Sequence, residues 1–263
     1  MGFSFQERPM MTSQNDFTAR HYASRAEDYV TSPVHAAGED LDQVEAMLRS
    51  TGAARLLDLG CGGGHVSYRA APYAGEVVAT DVTARMLDVV ARTASERNLQ
   101  NITTREAAAE NLPFDDASFD VVICRFSVHH WEDMEAGLRQ ARRVLAAGGR
   151  AMFIDTIAPT NPVLDTHLQA VELLRDPSHV RNYDFAEWSA ALGRAGFRLT
   201  GVTPRRLRME FSTWIARTRT PPHHAEAIRS LQNVASDTVQ NHFAIEPDGS
   251  FTIDTVAMTA AAA

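Results

Sequence analysis

Across residues 40–157, short unbroken apolar runs alternate with stretches of helical spacing. Leu56 to Leu59 is apolar apart from Asp58, and glycine follows at Gly60, Gly62, Gly63 and Gly64. His65 to Ala71 then has residues that suit a helix. Glu76 to Asp81 sets Val77, Val78 and Ala79 between polar ends, and Asn101 to Arg105 is a third extended run. Phe119 to Arg125 carries Val121, Val122 and Ile123, and Ala151 to Ile157 makes a fifth run. Short apolar runs without alternation predict strands covered on both faces. Between them, Met86, Leu87, Val90 and Ala94 keep helical spacing behind Thr83, a residue able to cap a helix. Leu138, Ala141 and Leu145 do the same within Glu132 to Leu145, with Gly148 and Gly149 as the stop. Gly38 to Arg49 reads as a helix laid ahead of the first strand. Strand and helix in regular succession predict an α/β fold with a doubly wound, mostly parallel sheet.

The flanks read differently. Phe17 to Val30 spaces Phe17, Tyr22 and Tyr29 so that a helix would carry one aromatic face, either packed down or lying over a ligand. After the fifth strand, Pro159 to Asp184 delays the return to the sheet. It has Leu164, Leu168, Val171 and Leu174 at helical spacing and a turn at Asp176-Pro177-Ser178. Ala186 to Gly196 is a short helix, and Phe197 to Val202 and Leu207 to Phe211 are strand-like. The latter alternates Arg206, Arg208 and Glu210 with Leu207, Met209 and Phe211, the pattern of an exposed edge. Trp214 to Phe243 is mostly helical, Phe251 to Met258 is a last strand, and Ala260 to Ala263 is a low-complexity tail. The expected organisation is a flexible leader over residues 1–16 and one domain over 17–263. That domain comprises a core at about 40–157, an inserted helical lid at about 159–184, and further strands and helices over 185–259.

Composition narrows the classes. With 263 residues, 44% of them hydrophobic, the chain is expected to be globular. No apolar run reaches membrane-spanning length, and the first residues lack the apolar centre of a signal peptide. A net charge of −8 argues against a nucleic-acid backbone as the main partner. Cys61 and Cys124 have no paired spacing, so they predict neither a disulfide framework nor a zinc site, and the expected compartment is the reducing cytoplasm. Nothing in the sequence fixes an oligomeric state.

The glycines after the first strand carry the chemistry. Glycine permits positive φ and close approach of a ligand to the backbone, and the helix behind it presents free N–H groups. A dinucleotide fingerprint needs G-x-G-x-x-G, but counted from Gly60 its third place falls on His65, and counted from Gly62 it falls on Ser67. No lysine follows to make a phosphate loop. Asp81 ends the second strand about twenty residues on, where a carboxylate can hold both hydroxyls of an adenosine ribose. That position serves a nicotinamide cofactor and S-adenosylmethionine alike.

Residues 55–64, with Asp58 two places before the first glycine, resemble motif I of the class I S-adenosylmethionine-dependent methyltransferases. Ala109-Glu110-Asn111-Leu112-Pro113-Phe114 resembles the family stretch that cups the adenine edge, with Ala108 standing where an acid is common. Phe126-Ser127-Val128-His129-His130-Trp131 is similar to a His-His-aromatic stretch of members that act on small molecules. The chain thus resembles the small-molecule group related to the ubiquinone and menaquinone C-methyltransferases, the methyltransferase type 11 domain. The resemblance implies a Rossmann-like sheet of seven strands with one antiparallel, S-adenosylmethionine as cofactor and S-adenosylhomocysteine as product. It implies a cofactor site made from Asp58, Gly60, Cys61, Gly62, Asp81, Val82, Met86, Ala108, Ala109, Glu110 and Arg125, with the residue at Met86 packed on adenine.

Methyl transfer from a sulfonium needs alignment above all, and a base only for a nucleophile that holds its proton tightly. His130 is the first candidate base and His129 the second, each with a purely structural hydrogen-bonding role as the alternative. Adjacent histidines without a further cluster argue against a metal ion. The acceptor is expected to be a small molecule, attacked at O, N or C. Tyr22 and Tyr29, with Arg181 and Tyr183 of the inserted segment, are the candidate substrate contacts, unless Arg181 and Tyr183 only pin the insertion to the sheet. Two other classes remain open: a nicotinamide-dependent oxidoreductase, and a catalytically silent protein that binds an adenosine cofactor.

Overall fold

The computed structural model describes residues 13–23 and 38–263. Tyr29 and most of the expected leader lie outside the described residues. A first helix, α1 (Gln14–Ala23), precedes α2 (Glu39–Thr51), β1 (Arg55–Leu59) and α3 (His65–Ala70). Then follow β2 (Glu76–Asp81), α4 (Ala84–Glu96), β3 (Ile102–Glu106) and β4 (Phe119–Arg125). A one-turn 3-10 helix at Val128–His130 leads to α5 (Met134–Val144) and β5 (Leu145–Thr156). The remainder is α6 (Pro162–Arg175), α7 (Phe185–Arg194), β6 (Phe197–Met209), α8 (Phe211–Arg217), α9 (Pro222–Asn233), α10 (Asp237–Phe243) and β7 (Phe251–Ala262).

The seven strands form one sheet in the order β3-β2-β1-β4-β5-β7-β6. β1 to β5 pair in parallel, and β7 runs antiparallel to both β5 and β6. This is the doubly wound, Rossmann-like architecture that the sequence predicts. Because side chains alternate along a strand, the apolar runs serve two cores. Leu57, Leu59, Val122 and Phe153 pack with Leu138 of α5 and Trp188 of α7. Leu56, Val121, Ile123, Met152 and Ile154 pack with Val44 and Leu48 of α2 and Val66 of α3. A third core joins Leu164, Leu168 and Val171 of α6 to Trp214, Ile228, Phe243, Phe251 and Ile253.

Helix starts follow local chemistry. Asp133 caps α5 by accepting from the Ala136 N–H at 2.9 Å, and Asn161 caps α6 with Pro162 in the first turn. Asp184 and Glu187 form a reciprocal capping box on α7. Thr83 precedes α4 without a side-chain cap.

Several expectations are corrected. α5 stops at Val144, and Gly148 and Gly149 lie in an irregular opening of β5, where pairing jumps from Leu145 opposite Phe119 to Arg150 opposite Val121. The two strand-like pieces expected over 197–211 are one strand, β6, with an irregularity between Leu199 and Gly201. Pro204 sits within it opposite Val256, which an edge strand tolerates because one side needs no N–H donor. The alanine tail is not featureless: Ala260 and Ala261 pair with β5 and β6 at once. The stretch expected to be mostly helical over Trp214 to Phe243 is so, divided among α8, α9 and α10.

Candidate active site

A cavity opens at the carboxyl ends of β1, β2 and β4, with about 1150 Å³ of empty space, part of it open to solvent. At one pole lie Gly60, Gly62, Asp81, Val82, Met86, Ala107 and Ala109. Gly60 and Gly62 have φ of 70° and 49°, a region that glycine occupies without strain. A Cβ on Gly60 would fall 2.0 Å from Ser127 Oγ, whereas one on Gly62 would project into open space. Asp81 closes this pole. Its carboxylate accepts from the Gly62 N–H at 3.0 Å and the Thr83 N–H at 2.8 Å, and burial pushes its pKa up despite those bonds. One carboxylate therefore holds the glycine turn against the end of β2.

The middle of the cavity belongs to His129 and His130, which line it with Trp131 and Ser127. His129 Nδ1 lies 2.6 Å from Asp155 Oδ1. Asp155 is buried and also accepts from the Val128 N–H at 3.0 Å and the Thr156 N–H at 2.8 Å. Burial would lower the His129 pKa, but the Asp155 carboxylate outweighs it and the net shift is upward. An Nδ1–H donated to Asp155 leaves the lone pair at Nε2. His130 differs. Its Nδ1 is 3.2 Å from the Ser178 carbonyl, which only accepts, so that nitrogen carries the proton. Its Nε2 faces the Tyr22 hydroxyl at 3.4 Å. Burial, reinforced by His129, pulls its pKa down to about 4. The sequence ranks His130 ahead of His129 as a base; in the structure His129 is backed by Asp155, whereas His130 Nε2 sits against a Tyr22 hydroxyl whose proton goes to Asp176, and burial disfavours protonation of the His130 ring.

The rest of the wall comes from elements outside the sheet's parallel half, and α1 reaches back to the glycine-turn side, where Tyr22 packs with Met86 and Val89. Asn15, Thr18 and Tyr22 enter from α1, Glu172 and Arg175 from α6, and Asn182 from the segment before α7. Leu207, Met209, Arg217 and Ile253 complete the wall. α1 is latched to the insertion by Asp176, which accepts from Tyr22 and pairs with His21 Nε2 at 3.1 Å. Burial opposes the charge on Asp176, yet His21, His130, Ser178 and Tyr22 hold its carboxyl well below the usual range. His179, turned inward with Nε2 on Gln169 at 2.8 Å, is held neutral by burial and the neighbouring histidines, down to about 2.

Other expected site residues stand elsewhere. Asp58 does not line the cavity: it is buried behind the turn, accepts from Ser67 N and Oγ at 3.0 and 2.6 Å, and burial pushes it up to about 7. Cys61 is half-buried in the turn, with its backbone N–H on Thr80 at 2.8 Å. Ala108 faces a shallow outer groove with Arg105 and Pro113, while its neighbours Ala107 and Ala109 line the main cavity. Glu110 accepts from the Glu132 N–H at 3.0 Å and from Asn15 at 3.4 Å, a bracing role. Arg125 pairs with Asp40 at 2.5 Å on the α2 side. Arg181 is committed to Glu187 and Asp165, and Tyr183 packs into the core beneath it, so both pin the insertion and neither lines the cavity. Among the described residues there is no group of three or more His, Cys, Asp or Glu that could hold a metal, and no helix long and apolar enough to cross a membrane.

Residues 57–153 match the methyltransferase domain family. The chain is 47% identical over 197 residues to the Escherichia coli (strain K12) protein YafE, covering 75% of this chain and 95% of that one. It is 34% identical over 224 residues to the Bacillus subtilis (strain 168) methyltransferase YcgJ, covering 85% of this chain and 88% of that one. The crystal structure of YcgJ superposes with a TM-score of 0.81 at 31% identity, over 84% of this chain and 97% of YcgJ. A shorter match, 32% identical over 142 residues, links 52% of this chain to 55% of the ubiquinone/menaquinone biosynthesis C-methyltransferase UbiE of Rhizobium leguminosarum bv. trifolii (strain WSM2304). The chain belongs to the methyltransferase family, in a class I, Rossmann-like form.

Acid should loosen this centre. His130 is held near 4 and His179 near 2, against 6.5 for a free histidine. A depressed histidine favours folding above 6.5, and that contribution is lost as pH falls toward the folded value. The stabilisation from the upward shift of His129 is already complete below 6.5 and is lost only as pH rises above it, so it does not grow to offset the loss in acid. For His130 alone the loss is on the order of 3 kcal/mol by pH 4. The melting temperature should drop steeply between pH 6.5 and 4, and less steeply in His130→Asn. A flat profile over that interval would contradict this account.

Proposed function

We propose that this chain is an S-adenosylmethionine-dependent methyltransferase that acts on a small molecule, with the cofactor held at the Gly60–Asp81 pole and the acceptor at the far pole. The supporting observation is one cavity that joins a glycine turn, a strand-end carboxylate and an Asp155-backed histidine. The donor set suits the cofactor. Asp81 offers a carboxylate to a ribose diol, Val82, Met86 and Ala109 offer apolar surface to adenine, and Gly62 leaves open space where a side chain would intrude. Bound there, S-adenosylmethionine supplies an electrophilic methyl group. The chain's own residues orient the acceptor, exclude water and accept a proton at His129 Nε2 when the nucleophile carries one. Carbon is an acceptor atom this reading admits beside oxygen and nitrogen, since UbiE is named for C-methylation. The helix α1 and the insertion act as the lid, with Tyr22 the contact from the first and Asn182 that from the second.

The test is a thermal-shift panel with S-adenosylmethionine, S-adenosylhomocysteine, NAD and NADP. At a hundred times its dissociation constant a ligand stabilises by about 2.7 kcal/mol. Stabilisation by the two sulfur compounds alone supports the reading, and stabilisation by NAD or NADP alone favours the oxidoreductase. Ala108→Asp should leave S-adenosylhomocysteine affinity unchanged in calorimetry, because position 108 faces the outer groove. A large loss would place that turn in the adenine site after all.

A further inference from the structure

Asn182 is only 2% exposed, it lines the cavity, and its Nδ2 has no hydrogen-bond partner. Its main chain, by contrast, is fully engaged. The Gln169 amide clamps it, accepting from the Asn182 N–H at 3.0 Å and donating to the Asn182 carbonyl at 2.7 Å. The same segment is bolted to the histidine: the Val180 and Arg181 N–H groups both donate to the His129 carbonyl, at 2.8 and 3.3 Å. The segment that carries the spare amide is thus tied to the main chain of His129, and both side chains line the same cavity. A buried donor without a partner is costly and rare in folded proteins, and a group so placed on a cavity wall is ready for a ligand oxygen. Leu207, Met209 and Ile253 supply apolar wall in the same chamber.

We propose that Asn182 and His129 form an acceptor subsite for a flat, largely apolar molecule bearing a weakly acidic hydroxyl with a second oxygen on the adjacent carbon. The second oxygen accepts from Asn182 Nδ2. The hydroxyl gives its proton to His129 Nε2, the O–H bond breaks, and the electron pair stays on the acceptor oxygen. The imidazolium so formed is stabilised by Asp155 and returns its proton to solvent. Asn182 sets which oxygen-bearing edge faces the base, and His129 sets which of its hydroxyls ionises. This inference rests on the methyltransferase reading for its cofactor pole.

The probes are 4-nitrocatechol, which has the adjacent oxygen, and 4-nitrophenol, which lacks it. Both report ionisation by visible absorbance. Each is titrated into the full chain with and without saturating S-adenosylhomocysteine, whose own affinity is measured first. The parent should prefer 4-nitrocatechol and show the ionised band at a pH below that of the free probe. Asn182→Ala should weaken 4-nitrocatechol by roughly two- to ten-fold, the worth of one hydrogen bond to a neutral oxygen. It should leave 4-nitrophenol, S-adenosylhomocysteine and the melting temperature unmoved. His129→Asn should abolish the ionised band. A loss shared by both probes, no loss for either, or a parent without preference between them overturns the subsite. Absence of S-adenosylhomocysteine binding overturns the methyltransferase reading instead, and the titrations without it still decide the subsite.

Discussion

Replacing His129 with asparagine should lower the rate of methyl transfer by roughly two to four orders of magnitude, the usual contribution of a positioned general base. Asparagine can still donate to Asp155, which also keeps its bonds to Val128 and Thr156, so the loop after β4 should hold its shape. Affinity for S-adenosylhomocysteine should change little, because the glycine turn and Asp81 lie at the opposite pole. The pH profile gives the second readout. The base works only when deprotonated, so the rate should rise with pH through a pKa above 6.5, the free histidine value, since Asp155 lifts it. Asp155→Asn removes that lift and should move the rising limb to lower pH while slowing the reaction. The measurement is single-turnover transfer across pH with an acceptor that the parent methylates. An unchanged rate in His129→Asn would leave the dyad a structural device and the nucleophile self-sufficient.

Asp81→Ala should weaken S-adenosylhomocysteine by one to two orders of magnitude. A charge-assisted contact is worth about 1.5–3 kcal/mol, which converts to that range. The substitution does more than remove a ligand contact, because the same carboxylate tethers the Gly62 and Thr83 N–H groups. Asp81→Asn keeps one accepting oxygen and should fall between the parent and Asp81→Ala. Calorimetry on folded variants decides it, and equal affinity in all three would remove Asp81 from the cofactor site.

The parallel half of the sheet was legible because its strands are buried on both faces and so write unbroken apolar runs. β2 and β4 begin and end where those runs do. β6 was not legible as one strand, since Gly201 and Pro204 look like breaks and are tolerated only because the strand lies at an edge. At the site, the glycine turn and Asp81 could be read from spacing within forty residues. The partners that decide each histidine's role could not. Asp155 looks like the polar end of an apolar run and is a hub for three donors, while Asp176 looks like an ordinary turn acid and latches α1. A carboxylate at the end of a buried strand is the one signal in the sequence that marks Asp155. Arg125 illustrates the converse error. It ends a strand at the cavity edge, but a partner 85 positions earlier in the sequence, Asp40, turns it away. Arg181 was similarly claimed by Glu187, whose first duty is to cap α7.

Strand β7 follows every other strand in the chain, yet it sits between β5 and β6. A chain emerging from the ribosome therefore completes the β3-β2-β1-β4-β5 side while the next seat in the sheet stands vacant. Until residues 251–262 arrive, β5 presents one bare row of peptide groups and β6 has no neighbour to join. Bare edges of that kind pair with whatever strand is near, including the same segment of another nascent copy. The delay also has a bearing on ligands. Gly60, Gly62 and Asp81 are in place early, whereas Ile253 closes the opposite wall only with β7. On the cofactor reading proposed above, adenosine binding would thus precede any ability to discriminate among acceptors.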